Sequence, residues 1–349
     1  MDSENQVNNY GVWTDEYGTI ISRSDLLSND QCKAMYEYAP YPDLGTNLKN
    51  IQGYLNSINS ELAKKKNIKF LDAGCGTGHV AVGVAKNNPN WSVYAVDLSN
   101  ASLGVAKKLA EKHCCKNINF AQVSYEEKLP FPVEKFDVIC AVGTIHHSCS
   151  PLRALENLRS YLALDGYFIM HMYGRRVDQG KFDIKEMLNI LEPNLNAFEK
   201  RFEFYQSLIK HKKMPLMKRM LECSPMDFIR WIRTSLFNLK RKINKQSWSP
   251  SWTLQYEKLD SPWIDHFCHP SERAYEVTGI QDLIEKSGFT VVHMFGQGSY
   301  NEKHMPKEWK EKYNSLNVWQ QYRINELLSP AERSFSMVLK KADSNSYIH

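Results

Sequence analysis

The chain lacks any run of about 18 consecutive apolar residues, so no membrane-spanning helix is expected. Its first thirty residues are polar and acidic, without a basic start followed by an apolar stretch, so no secretion signal is expected. It has 8 cysteines but no C-x-x-C pair. Cys114 and Cys115 are adjacent, a spacing that suits neither a zinc site nor an easy disulfide. These absences point to reduced thiols in a cytoplasmic protein and to no bound metal. No internal repeat or low-complexity tract is present. What remains is a 349-residue chain, 42% hydrophobic and 24% charged, which suits one large globular core or one core plus a lid.

The net charge of +5 is unevenly spread. Residues 199–245 carry thirteen Lys/Arg against four Asp/Glu, a local +9 that leaves −4 for the rest. That asymmetry bears on partners rather than on the fold. The same stretch mixes in Phe202, Phe204, Phe228, Trp231 and Phe237, with Trp248 and Trp252 just beyond it. The plain expectation is a solvated lid helix. Two sharper ones are an RNA partner, with basic charge on phosphate and aromatics on bases, and an anionic membrane surface.

Along the chain, residues 1–30 read as loosely packed. Residues 45–66 read as a helix, with Leu48, Ile51, Leu55, Ile58 and Leu62 at three- and four-residue spacing. Strands are expected at Ile68–Asp72, Ser92–Asp97, Ile118–Val123, Phe136–Val142 and Tyr167–Tyr173. Helices are expected at Ala81–Lys86, Ala101–His113 and Pro151–Leu162, with a turn at Asp165-Gly166. Strands alternating with helices imply a parallel sheet covered on both faces. About 115 residues then separate Tyr173 from the next strand, Phe289–Phe295. No structureless loop should be that long, so 178–245 is read as helices of a lid. Ile280–Lys286 is read as a helix, and a second insertion at about 297–331 precedes a last strand, Ser334–Lys340. Four regions follow: an N-terminal arm and helix (1–66), a cofactor core (67–177), a helical cap (178–265) and a completion of the core sheet (266–349).

Three glycines alternate at 74, 76 and 78 between the first strand and a helix, in Phe70-Leu71-Asp72-Ala73-Gly74-Cys75-Gly76-Thr77-Gly78. Without a Cβ, the backbone turns tightly and a ligand can lie against it. Gly76-x-Gly78-x-x-Ala81 also fits a loose dinucleotide fingerprint. Gly74 ahead of that pattern, and Asp72 placed to meet a cationic amine, argue against a nicotinamide or flavin. Asp97 closes the next strand, a feature both kinds of site use for ribose hydroxyls.

From Leu71 to Gly78 the sequence resembles the first motif of class I S-adenosylmethionine-dependent methyltransferases. Val96-Asp97-Leu98-Ser99 resembles their second-strand acidic motif. Leu129-Pro130-Phe131-Pro132 with Phe136-Asp137-Val138-Ile139, and then Gly143-Thr144-Ile145-His146-His147, continue the resemblance in order over about 68–173, with a weaker match at 275–295. The resemblance implies a doubly wound, mostly parallel α/β sheet of seven strands, the last one antiparallel, with a helical N-terminal arm and a large helical cap. It implies S-adenosylmethionine as cofactor and S-adenosylhomocysteine as product. Asp72, Ala73, Gly74, Cys75, Gly76 and Gly78 would hold the methionine part and Asp97 the ribose. Leu98 would pack on the adenine, with Ser124, Tyr125, Val142 and Gly143 around it. The family often has an acid where Ser124 and Tyr125 stand; here the acids come later, at Glu126 and Glu127.

Methyl transfer asks mainly for alignment, and for a base where the acceptor carries a proton. His146, His147 and Tyr173 are the candidates, with packing as the plain alternative. The segment Tyr36-Glu37-Tyr38-Ala39-Pro40-Tyr41-Pro42 resembles segments preceding the cofactor domain in some bacterial methyltransferases. It either closes over the cofactor or caps the domain, and Tyr41 is a substrate candidate. Asp265-His266-Phe267-Cys268-His269-Pro270 resembles a segment before the final helix in certain bacterial methyltransferases; it offers His266 and His269 as substrate contacts. The expected function is methylation of a small or medium-sized molecule. The alternatives are RNA or protein methylation guided by 199–245, a non-catalytic cofactor binder, and a cofactor-dependent enzyme that transfers no methyl.

Overall fold

The computed structural model describes residues 11–14, 16, 19–23, 29–42, 47–133, 135–175, 264–295, 306–328 and 334–342, and eight positions between 181 and 203. The chain divides into two units, Met1–Phe198 with Ser261–His349, and Glu199–Asp260. The first unit holds every element below. The expected lid helices and the basic stretch 199–245 lie almost wholly outside the described residues.

Two short strands, β1 (Gly11–Thr14) and β2 (Ile20–Arg23), precede helix α1 (Asn29–Tyr38) and two short helices, α2 (Gln52–Asn56) and α3 (Asn59–Leu62). The alternating core follows as β3 (Lys69–Ala73), α4 (His79–Asn87), β4 (Ser92–Asp97), α5 (Asn100–Lys112), β5 (Ile118–Gln122), β6 (Phe136–Val142), α6 (Pro151–Tyr161) and β7 (Leu162–Met172). After a π-helical turn at Ile264–Cys268 come β8 (Ser271–Ala274), α7 (Val277–Lys286), β9 (Phe289–Phe295), α8 (Lys307–Asn314), α9 (Val318–Leu328) and β10 (Phe335–Lys341). Among the described residues, no helix is long and apolar enough to cross a membrane.

Seven strands form one sheet in the order β5-β4-β3-β6-β7-β10-β9. β3 through β7 pair in parallel, and β10 runs antiparallel between β7 and β9. The last strand is therefore the antiparallel one, as the resemblance implied. Period-two alternation separates two cores. Leu71, Ile139, Phe168 and Met337 face α6 and α7, packing with Leu155, Leu158 and Ile280. Phe70, Val138, Ile169 and Val338 face the other way, onto Ala81, Val84 and the residues Ile51, Leu55, Ile58 and Leu62. Apolar side chains on both faces are what a parallel sheet covered by helices requires.

The structure corrects three expectations. Residues 11–14 and 20–23 are not loose: β1 and β2 join β8 in a second, three-stranded antiparallel sheet. The single helix over 45–66 is two short helices, broken at Ile58, where φ is −122°. Its apolar spacing does face the core, but Asn56, Ser57, Asn59 and Ser60 are poor helix formers, and the Ser57 hydroxyl donates to the Tyr54 carbonyl. Asp165-Gly166 is not a turn but an irregularity within β7, where pairing with β6 shifts between Phe136 and Val138. A Cβ at Gly166 would meet Leu162 Cδ1 at 2.9 Å and the Ala163 and Asp137 carbonyl oxygens at 3.1 Å, a crowding that glycine avoids. The second insertion contains helices α8 and α9.

Caps place the remaining ends. Ser99 accepts from the Ser102 amide at 3.0 Å to start α5, and Ser150 with Pro151 starts α6. Replacing Ile139, fully buried in β6, with Ala is expected to cost about 2–5 kcal/mol. Leu164→Ala, at an 87% exposed position, should stay within about 0.5 kcal/mol. Urea unfolding of the two variants checks both.

Candidate active site

The chain builds outward from β3 to one side (β4, β5) and then to the other (β6, β7), so the order reverses between β3 and β6. Crevices at such switch points, beyond the carboxyl ends of strands, are where open α/β sheets bind ligands. A cavity of about 260 Å³ lies there. Asp72 near the end of β3, Asp97 at the end of β4, Val142 at the end of β6 and Tyr173 just after β7 all line it.

Gly74, Gly76 and Gly78 have φ of +75°, +52° and +83°, a region that side chains disfavour. Each missing Cβ makes room for another part of the chain. A Cβ on Gly74 would come within 2.6 Å of Thr144 Cγ2, and one on Gly78 within 2.6 Å of the Ala106 Cβ. One on Gly76 would overlap the Tyr41 carbonyl oxygen. The Tyr-Pro segment thus lies directly on the glycine loop. The Thr77 amide donates to the Tyr41 carbonyl at 3.2 Å, and the Thr77 hydroxyl donates to the Pro42 carbonyl at 2.6 Å. Glu37 completes the clamp by accepting from the Asn100 and Ala101 amides at the start of α5, at 2.5 and 2.9 Å.

Of the three carboxylates that line the cavity, Asp97 and Asp72 stand in different states. Asp97 accepts from the Gly76 amide at 2.8 Å and from the Ser99 amide at 2.9 Å, one on each oxygen. Each carboxylate oxygen keeps a second lone pair, so two further donors can be taken. Burial raises the Asp97 pKa, and its backbone bonds oppose that. Asp72 is 3% exposed and its Oδ2 has no hydrogen-bond partner. Burial pushes its pKa up to about 7; the Ala81 amide and Lys49 oppose the rise. An orphaned buried carboxylate oxygen at a cavity fits a cationic ligand group.

At the far wall, burial holds His146, His147 and His269 below the ordinary imidazole range. His146 packs 3.8 Å from the Tyr173 ring centroid, is fully buried, and has no hydrogen-bond partner at either nitrogen. His147 Nδ1 lies 3.0 Å from the Ser271 carbonyl. A carbonyl only accepts, so Nδ1 carries the proton and Nε2 keeps the lone pair. The turn bearing His147 is fixed from behind, because Arg273 donates to the Ser148 carbonyl at 2.6 Å and to the Cys149 carbonyl at 3.2 Å. His147, Asp265 and His269 bring ligand-capable atoms within 4.8 Å of one another. The two imidazoles, however, stack at 3.9 Å and 29°, so their in-plane lone pairs run side by side instead of converging on one ion.

Of the residues singled out from sequence, Asp72, Gly74, Cys75, Gly76, Asp97, Leu98, Ser124, Tyr125, Val142, Gly143, His147, Tyr173, Tyr41 and His269 line this one cavity. Ala73, Gly78 and His146 do not. Ala73 points into the core, Gly78 packs on α5, and His146 sits behind His147 and Tyr173. The His266 side chain lies outside the described residues. Sequence reasoning missed Thr144, Lys49, His171 and Tyr36, which also line the cavity. Tyr36 stood within the quoted Tyr-Pro segment; Lys49 carried no local signal.

This sheet order and crevice define a class of α/β fold that binds nucleoside cofactors at the ends of β3 and β4. PKMT2 of Rickettsia typhi, in complex with AdoHcy, has a similar fold at a TM-score of 0.56 and 16% identity, over 79% of this chain and 49% of that one. An uncharacterised protein of Synechococcus is 26% identical over 287 residues, 80% of this chain and 61% of its own length. Malonyl-[acyl-carrier protein] O-methyltransferase 1 of Ilyobacter polytropus is 29% identical over 137 residues, 39% of this chain and 48% of its own. The chain thus spans about half to three-fifths of these proteins' lengths. Residues 64–248, more than half of the chain, match the methyltransferase domain family. The chain belongs to that family, a class I group whose cofactor is S-adenosylmethionine.

Gly76→Ala is expected to push the Tyr41 carbonyl away and to cost about 1–3 kcal/mol, through both overlap and backbone strain. Chemical unfolding, with proteolysis of the arm as a local readout, checks it.

Proposed function

We propose that the protein transfers a methyl group from S-adenosylmethionine to an oxygen of a small or medium-sized molecule, with His147 as general base. The carrying observation is His147 itself, which borders the cavity with Nδ1 committed to the Ser271 carbonyl and its other nitrogen left to take a proton. Similarity over 137 residues to a malonyl-[acyl-carrier protein] O-methyltransferase supports an oxygen acceptor.

In this reading Asp72 meets the cationic amine of the cofactor with its unpartnered oxygen. Asp97 takes the ribose hydroxyls on its spare lone pairs, while Gly74–Gly76 backbone and Leu98 border the nucleoside. When bound, the sulfonium supplies an electrophilic methyl carbon and a neutral thioether leaving group. The remaining work belongs to the chain. The arm at Tyr36–Pro42 walls off one side, Tyr173 offers a hydroxyl-bearing ring to the acceptor, and His147 Nε2 receives the acceptor's proton. Burial keeps His147 neutral near pH 7, the state a base needs.

Three outcomes are expected. Asp97→Ala should weaken S-adenosylmethionine binding by about a hundredfold or more in calorimetry, the scale of two charge-assisted bonds; unchanged affinity would remove the assignment. Binding should also depend on pH through Asp72. Its carboxyl is protonated below about 7, so affinity should fall by up to about tenfold per unit as pH drops below that value, and Asp72→Asn should bind weakly with a flat profile. Finally, label from methyl-labelled cofactor should enter the small-molecule fraction of a cell extract, and His147→Asn should slow this by about 10²–10⁴-fold. Label confined to RNA or protein would favour a macromolecular acceptor.

A further inference from the structure

Proton uptake by His147 raises a question of charge. As the acceptor oxygen bonds the methyl carbon, the S–C bonding pair returns to sulfur and the acceptor's O–H proton passes to His147 Nε2. A positive charge that began on sulfur ends on a buried ring. A buried cation without a counter-charge is costly.

The surroundings of His147 are described on most sides. On its own turn stands His146, after β7 Tyr173, and from the 264–271 segment Asp265 and His269. From β8 comes Glu272, and from the stretch after β7 comes Lys181. The histidines are neutral. Glu272 is already engaged by two ammonium groups, Lys181 at 2.6 Å and Lys185, all three fully buried. Asp265 is the other buried acid, and its Oδ1 accepts from the Tyr36 hydroxyl at 2.7 Å. Among the described residues, it is the carboxylate of this group with no ion pair to an ammonium.

We propose that Asp265 is a positioning residue whose carboxylate, held by Tyr36 of the N-terminal arm, supports the imidazolium formed on His147 during transfer. This rests on His147 being the base. The arm takes part because the Tyr36 bond favours the ionised form of Asp265 against the burial that disfavours it. Tyr36 also lines the cavity, as do His147 and His269. The arm and the readiness of the base are therefore linked through one hydroxyl.

The test is a pH titration of ¹⁵N-histidine-labelled full-length protein by NMR, with S-adenosylhomocysteine present. In Asp265→Asn, the His147 ring should lose proton affinity by about tenfold, one pH unit downward. Asp265→Glu should recover part of the loss, and Tyr36→Phe should shift in the same direction as Asp265→Asn. A His147 titration unchanged in Asp265→Asn, with S-adenosylhomocysteine affinity retained, overturns the proposal. If Asp265→Asn does not fold, Tyr36→Phe decides by the same reading, since it removes only a hydroxyl. His147→Asn separates the two layers. Full transfer in that variant overturns the base and the positioning role with it. Lost transfer there, beside an unmoved titration in Asp265→Asn, overturns the positioning role alone.

Discussion

The site depends on one carboxylate serving as a structural joint. Asp97 ends its strand with both oxygens accepting backbone N–H groups, one from the glycine loop and one from the start of α5. That stitches the ends of two neighbouring parallel strands to each other. These bonds help hold the loop at its positive φ angles. Such preorganisation lowers the ordering cost of binding. It also leaves Asp97 with acceptor capacity directed at the cavity, so one group both builds the hollow and can grip what enters it.

Asp72 is the opposite case. It is buried, partly unsatisfied and forced toward neutrality. A lone carboxylate in that position works against the empty fold. A cationic partner would relieve it, so affinity gains from a group that stability alone would not select. The contrast between a satisfied and an unsatisfied acid, one strand apart, separates scaffolding from recognition.

The sheet was legible because its signals are local and redundant. Leu71, Ile139 and Phe168 alternate with Phe70, Val138 and Ile169, and the glycine run lies between a strand and a helix. Asp72 and Asp97 could be read from their places at strand ends. What stayed hidden was non-local. Nothing near Gly76 says that the Tyr41 carbonyl occupies its open side, about 35 residues away in sequence. His146 and His147 look equivalent in the sequence, yet a single turn that buries both puts only His147 on the cavity wall. The polar start of the chain concealed β1 and β2, because their partner β8 is drawn from residues 271–274. Asp265 was overlooked for a similar reason, since its partner Tyr36 lies 229 positions earlier.

The antiparallel strand β10 has a consequence for how the molecule is made. It is wedged between β7 and β9, yet among the described residues it follows both of them in chain order. On a ribosome, β7 must wait with one edge bare until residues 335–341 emerge, and β9 cannot join the sheet before them. Bare strand edges invite mispairing with other chains. The parallel half can consolidate early around β3, β4 and β6, whereas sealing of this sheet waits for residues 335–341.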